Sequence, residues 1–229
     1  MKIDILTLFP HMFDGFLSES IIKRAINNNL VSINVIDFRN YSKDKHKRVD
    51  DAPYGGGAGM VLMCEPVVSA IEDVKTDDSL VILTCPQGKT YNEKMALDLK
   101  NYKHLIIVCG HYEGYDERIR EFVDLEISIG DFILTGGEIP AMAITDSVVR
   151  LLDGVITKES YENDTFNNNL LDYPTYTRPE DFRGLKVPDV LLSGNHKKIE
   201  EYRINEQIKK TLDKRPDLMG DKYGSKKDE

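Results

Sequence analysis

Cysteine is scarce. The 229 residues hold three, at positions 64, 85 and 109, and no C-x-x-C pair is among them. That argues against a disulfide framework and a thiolate zinc site, and it points to a reducing cytoplasm. Cys85 and Cys109 each close an apolar run and read as small core residues. The five histidines, at 11, 46, 104, 111 and 196, have no H-x-x-x-H spacing, so no metal ligand set is expected. Long apolar runs are also missing. No window approaches 18 uncharged apolar residues, which excludes a membrane-spanning helix. The start, Met1-Lys2-Ile3-Asp4, has an acid at the fourth position and no small-residue cleavage site, so it does not read as a signal peptide. Excess positive charge is absent too. Thirty Lys and Arg stand against 39 Asp and Glu, a net charge of −9. This argues against a generic basic coat for nucleic acid and leaves room for a local basic patch.

What is present suits a folded chain. The apolar set is 41% and the charged set 30%, enough for a packed core in one large or two small domains. Charge is uneven: residues 174–229 hold 13 Lys and Arg against 11 Asp and Glu, whereas residues 1–173 hold 17 against 28. Short apolar runs at 3–9, 31–38, 80–84, 105–109 and 125–129 predict strands. The third and fourth are continuous rather than alternating, as in strands buried on both faces of a parallel sheet. Helical patterns fall between them, at 12–28, 65–74, 92–100 and 138–152. Strand and helix alternate, so the class is α/β. Residues 195–213, with Ile199, Tyr202, Ile208 and Leu212 among charges, predict an amphipathic surface helix. Residues 157–169 are acidic, Asn-rich and poor in apolar anchors. They read as a linker, and the domain boundary is placed there.

Ligands of open α/β sheets bind beyond the carboxyl ends of the strands. Three predicted strands end in turn chemistry. Residues 80–84 run into Cys85-Pro86-Gln87-Gly88, 105–109 into Gly110-His111-Tyr112-Glu113-Gly114, and 125–129 into Gly130-Asp131 and then Thr135-Gly136-Gly137-Glu138. Any one alone is an ordinary turn. Three on one edge predict a pocket lined by backbone amides, suited to an adenosine-like ligand. The glycine run Pro53-Tyr54-Gly55-Gly56-Gly57-Ala58-Gly59-Met60 is not a Walker A loop, since no Lys-Ser/Thr follows, and no strand leads into it. It reads as a lid or a close-packing turn. The preceding basic cluster, Lys43, Lys45, His46, Lys47 and Arg48, reads as a solvated face or as a grip on a phosphate backbone. By composition alone, Asp164 is a solvated linker acid, and Arg150 neutralises a helix C-terminus.

The strings Gly110-His111-Tyr112-Glu113-Gly114-Tyr115-Asp116-Glu117-Arg118 and Ser128-Ile129-Gly130-Asp131-Phe132-Ile133-Leu134-Thr135-Gly136-Gly137-Glu138 resemble the bacterial tRNA (guanine-N1)-methyltransferase family, TrmD, of the SPOUT superfamily. The resemblance runs along nearly the whole chain. It takes in Val49–Met60, Leu171-Asp172-Tyr173-Pro174, Tyr176-Thr177-Arg178-Pro179 and Val190-Leu191-Leu192-Ser193-Gly194-Asn195-His196.

The resemblance implies methyl transfer from S-adenosylmethionine to N1 of the guanosine 3′ of the tRNA anticodon, by a cytoplasmic homodimer. It implies a parallel α/β sheet with a deep trefoil knot in residues 1–156, a flexible linker at 157–170, and a small, mostly helical tRNA-binding domain at 171–229. Topological rules alone would give an unknotted, doubly wound sheet. The donor site carried over is Pro86, Gly110, Tyr112, Gly114, Ser128, Ile129, Gly130, Asp131, Phe132, Ile133, Leu134, Gly136, Gly137 and Pro140. Asp164 and Arg150 fall where the family has its catalytic pair, and Glu113 is assigned to the guanine edge. The spacing from Arg150 to Asp164 is one residue shorter than in some members, which keeps Glu162 and Asn163 beside Asp164. His111 stands where many members have Arg. His46, Arg48, Lys197, Lys198 and Arg203 are expected on RNA. Mg²⁺ enters as an accessory ion with no carboxylate cluster to define a site. Two other classes compete. Among other nucleotide-handling enzymes, a ribose methylase would need no linker carboxylate, and a dinucleotide oxidoreductase would need a G-x-G-x-x-G after a strand. A non-catalytic RNA-binding module is disfavoured by the net charge.

Overall fold

The computed structural model describes residues 1–157, 165–166 and 169–220. The chain divides into two compact units, Met1–Ile156 and Thr157–Glu229. The strands of the first unit are β1 (Lys2–Thr7), β2 (Ser32–Asp37), the short β3 (Asp50–Asp51) and β4 (Val61–Leu62), β5 (Ser79–Thr90), β6 (His104–Cys109) and β7 (Leu125–Ser128). Five of them form one parallel sheet in the order β2-β1-β6-β5-β7. Every residue of the central strand β6 is buried. That is why its sequence is a continuous apolar run, while edge strand β2 keeps polar residues partly in water.

The helices of this unit are α1 (Asp14–Ser18), α2 (Ser20–Asn27), α3 (Cys64–Val74), α4 (Glu93–Leu99) and α5 (Glu138–Val149). Leu6, Val81, Leu83, Ile106 and Val108 share one core with Val67, Ala70 and Ile71 of α3. The alternate residues Ile5, Ile82 and Ile107 lie side by side in register and are also fully buried. Successive side chains on a strand point to opposite faces. Helix α5, which touches β1 and β6 and buries Ala141, Ile144 and Val148, covers that second face.

The amino ends of the strands are closed by a polar row. The fully buried Asp4 accepts from Asn34 Nδ2 at 2.7 Å and meets His104 Nε2 at 2.9 Å, and Lys2 Nζ lies at 2.7 Å. His104 Nδ1 in turn meets Ser79 Oγ at 2.7 Å. A buried carboxylate is tolerated because its oxygens are occupied this way. The row ties β2, β1, β6 and β5 together at the end of the sheet away from the loops that follow β5, β6 and β7.

Three expectations need correction. Residues 12–28 are not one helix. A 3-10 turn at Pro10–Phe13, then α1 and α2, are separated by Glu19 in extended backbone. Gly15, Ser18 and Ser20 are weak helix formers, and the break falls among them. Strand β5 does not end at Thr84. Thr84 and Lys89 both stand opposite Ile127, so residues 85–88 bulge out and the strand resumes to Thr90. The helix expected over 138–152 stops at Val149, with Arg150 as its C-cap.

In the second unit the amphipathic helix is His196–Lys214, preceded by the short helix Asp189–Leu192 and capped by the Asn195 side chain, which accepts from the Lys198 backbone N–H. Its inner side holds segment 171–173: Thr211 Oγ1 accepts from Leu171 N–H at 2.9 Å, and Lys210 Nζ donates to Asp172 O at 2.9 Å. This unit also contains a small hairpin, Asp181–Phe182 with Leu185–Lys186, in addition to its helices. Its two loop residues, Arg183 and Gly184, both have positive φ, at 57° and 87°. That backbone suits a two-residue hairpin turn. Arg-Gly is not the Asn-Gly or Asp-Gly pair that announces such turns in a sequence.

Candidate functional site

Strands β6, β5 and β7 are neighbours, so the segments leaving them converge. The 85–88 bulge, the loop 110–115 and the loop 129–137 surround a cavity of about 310 Å³. That volume lies in the range of small-ligand pockets. The lining includes Pro86, Gly110, Tyr112, Glu113, Gly114, Ser128, Ile129, Gly130, Phe132, Ile133, Leu134, Gly136, Gly137 and Pro140. Asp131, between the lining residues Gly130 and Phe132, is exposed and does not line the cavity. Thr84, Cys85, His111, Tyr115, Ile127 and Thr135 line the cavity as well. Sequence reasoning did not assign them as donor residues, although all but Thr84 adjoin a residue that it did.

Glycine makes the floor possible. A Cβ on Gly137 would meet Thr84 Oγ1, and would stand 2.7 Å from Gly110 N and 2.8 Å from Cys109 Cα. One on Gly136 would meet the Glu138 carboxylate and stand 2.7 Å from the His111 ring. The chain therefore crosses itself closely at this point, held by a hydrogen bond from Gly137 N–H to Gly110 O at 2.8 Å. A helix starts there: α5 begins at Glu138, whose buried carboxylate accepts from Thr7 Oγ1 at 2.7 Å.

Two thiols and a phenol at the cavity keep their protons at neutral pH. Burial pushes the Cys85 thiol up, the Cys109 thiol far up, and the Tyr115 phenol well above its ordinary value. None of the three is a nucleophile in that state. Tyr112 has positive φ (62°), and its N–H donates to His111 Nδ1 at 3.0 Å. Phe132 and Ile133 stand exposed at the rim.

The glycine-rich run joins this site. It links β3 to β4, with Gly55, Gly56, Gly57 and Gly59 all at positive φ. Glu113 N–H donates to Met60 O at 3.1 Å, and Leu62 N–H to Gly114 O at 3.0 Å. The Glu113 side chain lies on Gly59, where any Cβ would collide with it. The run is thus a close-packing turn against the loop that carries Glu113.

Of the remaining sequence candidates that are described, none is among the residues lining the cavity. Arg150 is the C-cap of α5, and its N–H donates to Asp146 O at 3.0 Å. Asp164, with the alternatives Glu162 and Asn163, lies outside the described residues. His46 and Arg48 are exposed on the loop between β2 and β3, where Asp44 holds Arg48 Nη2 at 2.9 Å and accepts from the His46 backbone. Lys43 pairs with Glu65 at 2.7 Å. Part of the basic cluster is thereby neutralised. In the second unit Lys197, Lys198 and Arg203 are exposed on the helix, with the Arg203 guanidinium 4.8 Å over the Tyr173 ring. Among the described residues no group of His, Cys, Asp and Glu is arranged to hold a metal ion, and no helix is long and apolar enough to cross a membrane.

Comparison with known proteins adds the chemistry. The family model described as tRNA (Guanine-1)-methyltransferase TrmD matches residues 1–221. A protein of Malacoplasma penetrans named tRNA (guanine-N(1)-)-methyltransferase is 60% identical over 219 residues, covering 96% of this chain and 97% of its own. Proteins of the same name from Bacillus pumilus and Fusobacterium nucleatum are 60% and 59% identical, each over 96% of this chain and 92% and 91% of their own. A match that spans both chains, on a sheet whose loops form such a cavity, leaves one assignment: the chain belongs to the tRNA (guanine-1)-methyltransferase TrmD family.

Proposed function

We propose that the protein transfers a methyl group from S-adenosylmethionine to N1 of the guanosine 3′ of the anticodon in tRNA. The observation that carries this reading is the cavity where the segments after three adjacent parallel strands meet over a glycine floor. The residues fit the donor. Apolar walls from Ile129, Phe132 and Leu134 suit an adenine ring, and the backbone of 110–114 and 128–137 offers polar edges without charge. When bound, the donor supplies an electrophilic methyl group.

This chain's residues would do the rest. Guanine N1 carries a proton and is a poor nucleophile until that proton leaves. Asp164 takes it as general base. Negative charge then grows on O6, and the Arg150 guanidinium meets it there. Glu113, held on the Gly59 turn at the cavity mouth, accepts from the guanine edge. The base belongs to segment 157–170, and the catalytic site is completed when tRNA binds. The target base leaves its stack to enter. His46, Arg48, Lys197, Lys198 and Arg203 contact the RNA backbone. A homodimer, the knotted chain path and a cytoplasmic setting complete the proposal. No Mg²⁺ site follows from the described residues.

The test is methyl incorporation from labelled S-adenosylmethionine into two tRNA transcripts that differ only in G or A 3′ of the anticodon. Label mapping to N1 of the G transcript alone is the expected result. Label in neither, with donor binding intact, would move the substrate to another RNA. Lys197→Ala with Lys198→Ala should weaken tRNA binding and lower the slope of log affinity against log salt by about 1 for each phosphate no longer neutralised. A salt titration reads this, and an unchanged slope would take the helix off the RNA.

A further inference from the structure

One cluster beside the cavity has no role in the chemistry above. Glu126, on β7, gathers three donors from three segments. Cys85 Sγ donates to its Oε2 at 3.1 Å, Tyr115 Oη donates to the same oxygen at 3.3 Å, and Arg120 Nη1 donates to Oε1 at 2.7 Å. Arg120 also bonds the Gln87 side-chain oxygen, and its guanidinium lies 5.4 Å over the Tyr115 ring. Glu126 and Arg120 each keep about a quarter of their side-chain surface in water.

The partners matter because of where they sit. Cys85 and Gln87 belong to the 85–88 bulge, and Cys85, Pro86 and Tyr115 line the cavity. A bulge has lost its ladder hydrogen bonds and needs other anchors to hold one shape. The fourth residue, Gly88, is pressed on the backbone of Glu126 and Ile127, where a Cβ would collide. The bulge is thus clamped from both ends onto residue 126. The raised Cys85 thiol and Tyr115 phenol keep their protons and can only donate to the carboxylate.

We propose that Glu126 and Arg120 form a latch of positioning residues. It fixes the 85–88 bulge and Tyr115 as the donor-binding wall, and so sets affinity for S-adenosylmethionine without touching the reacting atoms. The proposal rests on the donor reading above. A residue that shapes only the donor wall acts on donor binding, whereas one in the chemistry acts on turnover at saturation.

The test uses the full-length protein with Glu126→Gln, which keeps the shape but removes the charge and turns an amide toward donors. Amide hydrogen exchange of the free protein over 85–90 should quicken by about tenfold or more, as expected when a local anchor is removed. Donor Kd by calorimetry and donor KM should rise by about tenfold, with kcat at saturation within about threefold of wild type and tRNA KM unchanged. Arg120→Lys keeps the charge but loses the fork, so it should give the same signature. It also serves where the glutamine variant does not fold. The double variant should be no worse than either single one. Unchanged exchange and donor affinity in both single variants would overturn the latch, as would a fall in kcat alone. If wild type binds no S-adenosylmethionine, the donor reading fails while the exchange experiment still judges the latch.

Discussion

Asp164→Ala should lower turnover by about 10²–10⁴-fold, the range attributed to a positioned general base, while donor affinity stays near wild type. The two halves of this expectation have separate grounds. The cavity lining comes entirely from the first unit, Met1–Ile156. Removing a carboxylate at 164 takes nothing from its walls. Proton removal from N1, by contrast, gets no help from the buried thiol and phenol of that lining. Cys85 and Tyr115 are held protonated by burial and cannot accept a proton near neutral pH. Asp164→Asn is the sharper control, since it keeps the size and loses the base. Arg150→Ala should cost about 10²–10³-fold in kcat, as for loss of a group that meets developing charge. The pair should be less than additive if they act on one transition state. Single-turnover rates with calorimetry on the same samples make the measurement. Full activity in Asp164→Ala, with a loss in Glu162→Gln, would move the base two residues along the chain.

Much of this site is legible in the sequence, for a physical reason. The buried runs 80–84 and 105–109 are continuous because β5 and β6 are covered on both faces, and such runs announce themselves. The glycines that follow are equally plain, because a chain that must approach another backbone cannot carry a Cβ. What a sequence cannot display is relation. Strand order β2-β1-β6-β5-β7 sets the ends of β6, β5 and β7 side by side, an order different from that in the chain, and no local pattern encodes that. The contact of Gly59 with Glu113 spans more than fifty residues, so the glycine run reads equally well as a lid or a turn. The 85–88 bulge looks like a strand end because Pro86 and Gly88 are turn residues, and only the pairing of Lys89 with Ile127 shows that the strand resumes. The break at Glu19 and the Arg183-Gly184 turn escape sequence reasoning because their residues are poor signals for what their backbones do.

Gly137→Ala should abolish measurable donor binding, a loss of about 10²-fold or more, because a wall displaced by even 1 Å forfeits its grip on the ligand. Backbone conformation alone gives little reason for such a loss. Gly137 is the N-cap of α5 with φ −83° and ψ −1°, a conformation that alanine adopts without strain, so only the modest N-cap preference for glycine stands against the exchange on backbone grounds. The objection is space. The new methyl would meet Thr84 Oγ1 and come within 2.7 Å of Gly110 N and 2.8 Å of Cys109 Cα. Two of these three atoms are backbone and cannot rotate away. To accept the methyl, the start of α5 must retreat from the end of β6, breaking the 2.8 Å bond from Gly137 N–H to Gly110 O. Overpacking of this kind costs about 1–3 kcal/mol, which the fold can survive. The cavity cannot, since Gly110, Gly136 and Gly137 are themselves its floor. Gly15→Ala supplies the contrast. It lies in α1 with nothing within 4 Å of its Cβ position, so it should stabilise by about 0.5–1 kcal/mol and leave donor binding untouched. Urea denaturation and donor calorimetry on both variants decide the matter. Normal affinity in Gly137→Ala would mean that the close crossing of β6 and α5 does not shape the donor pocket.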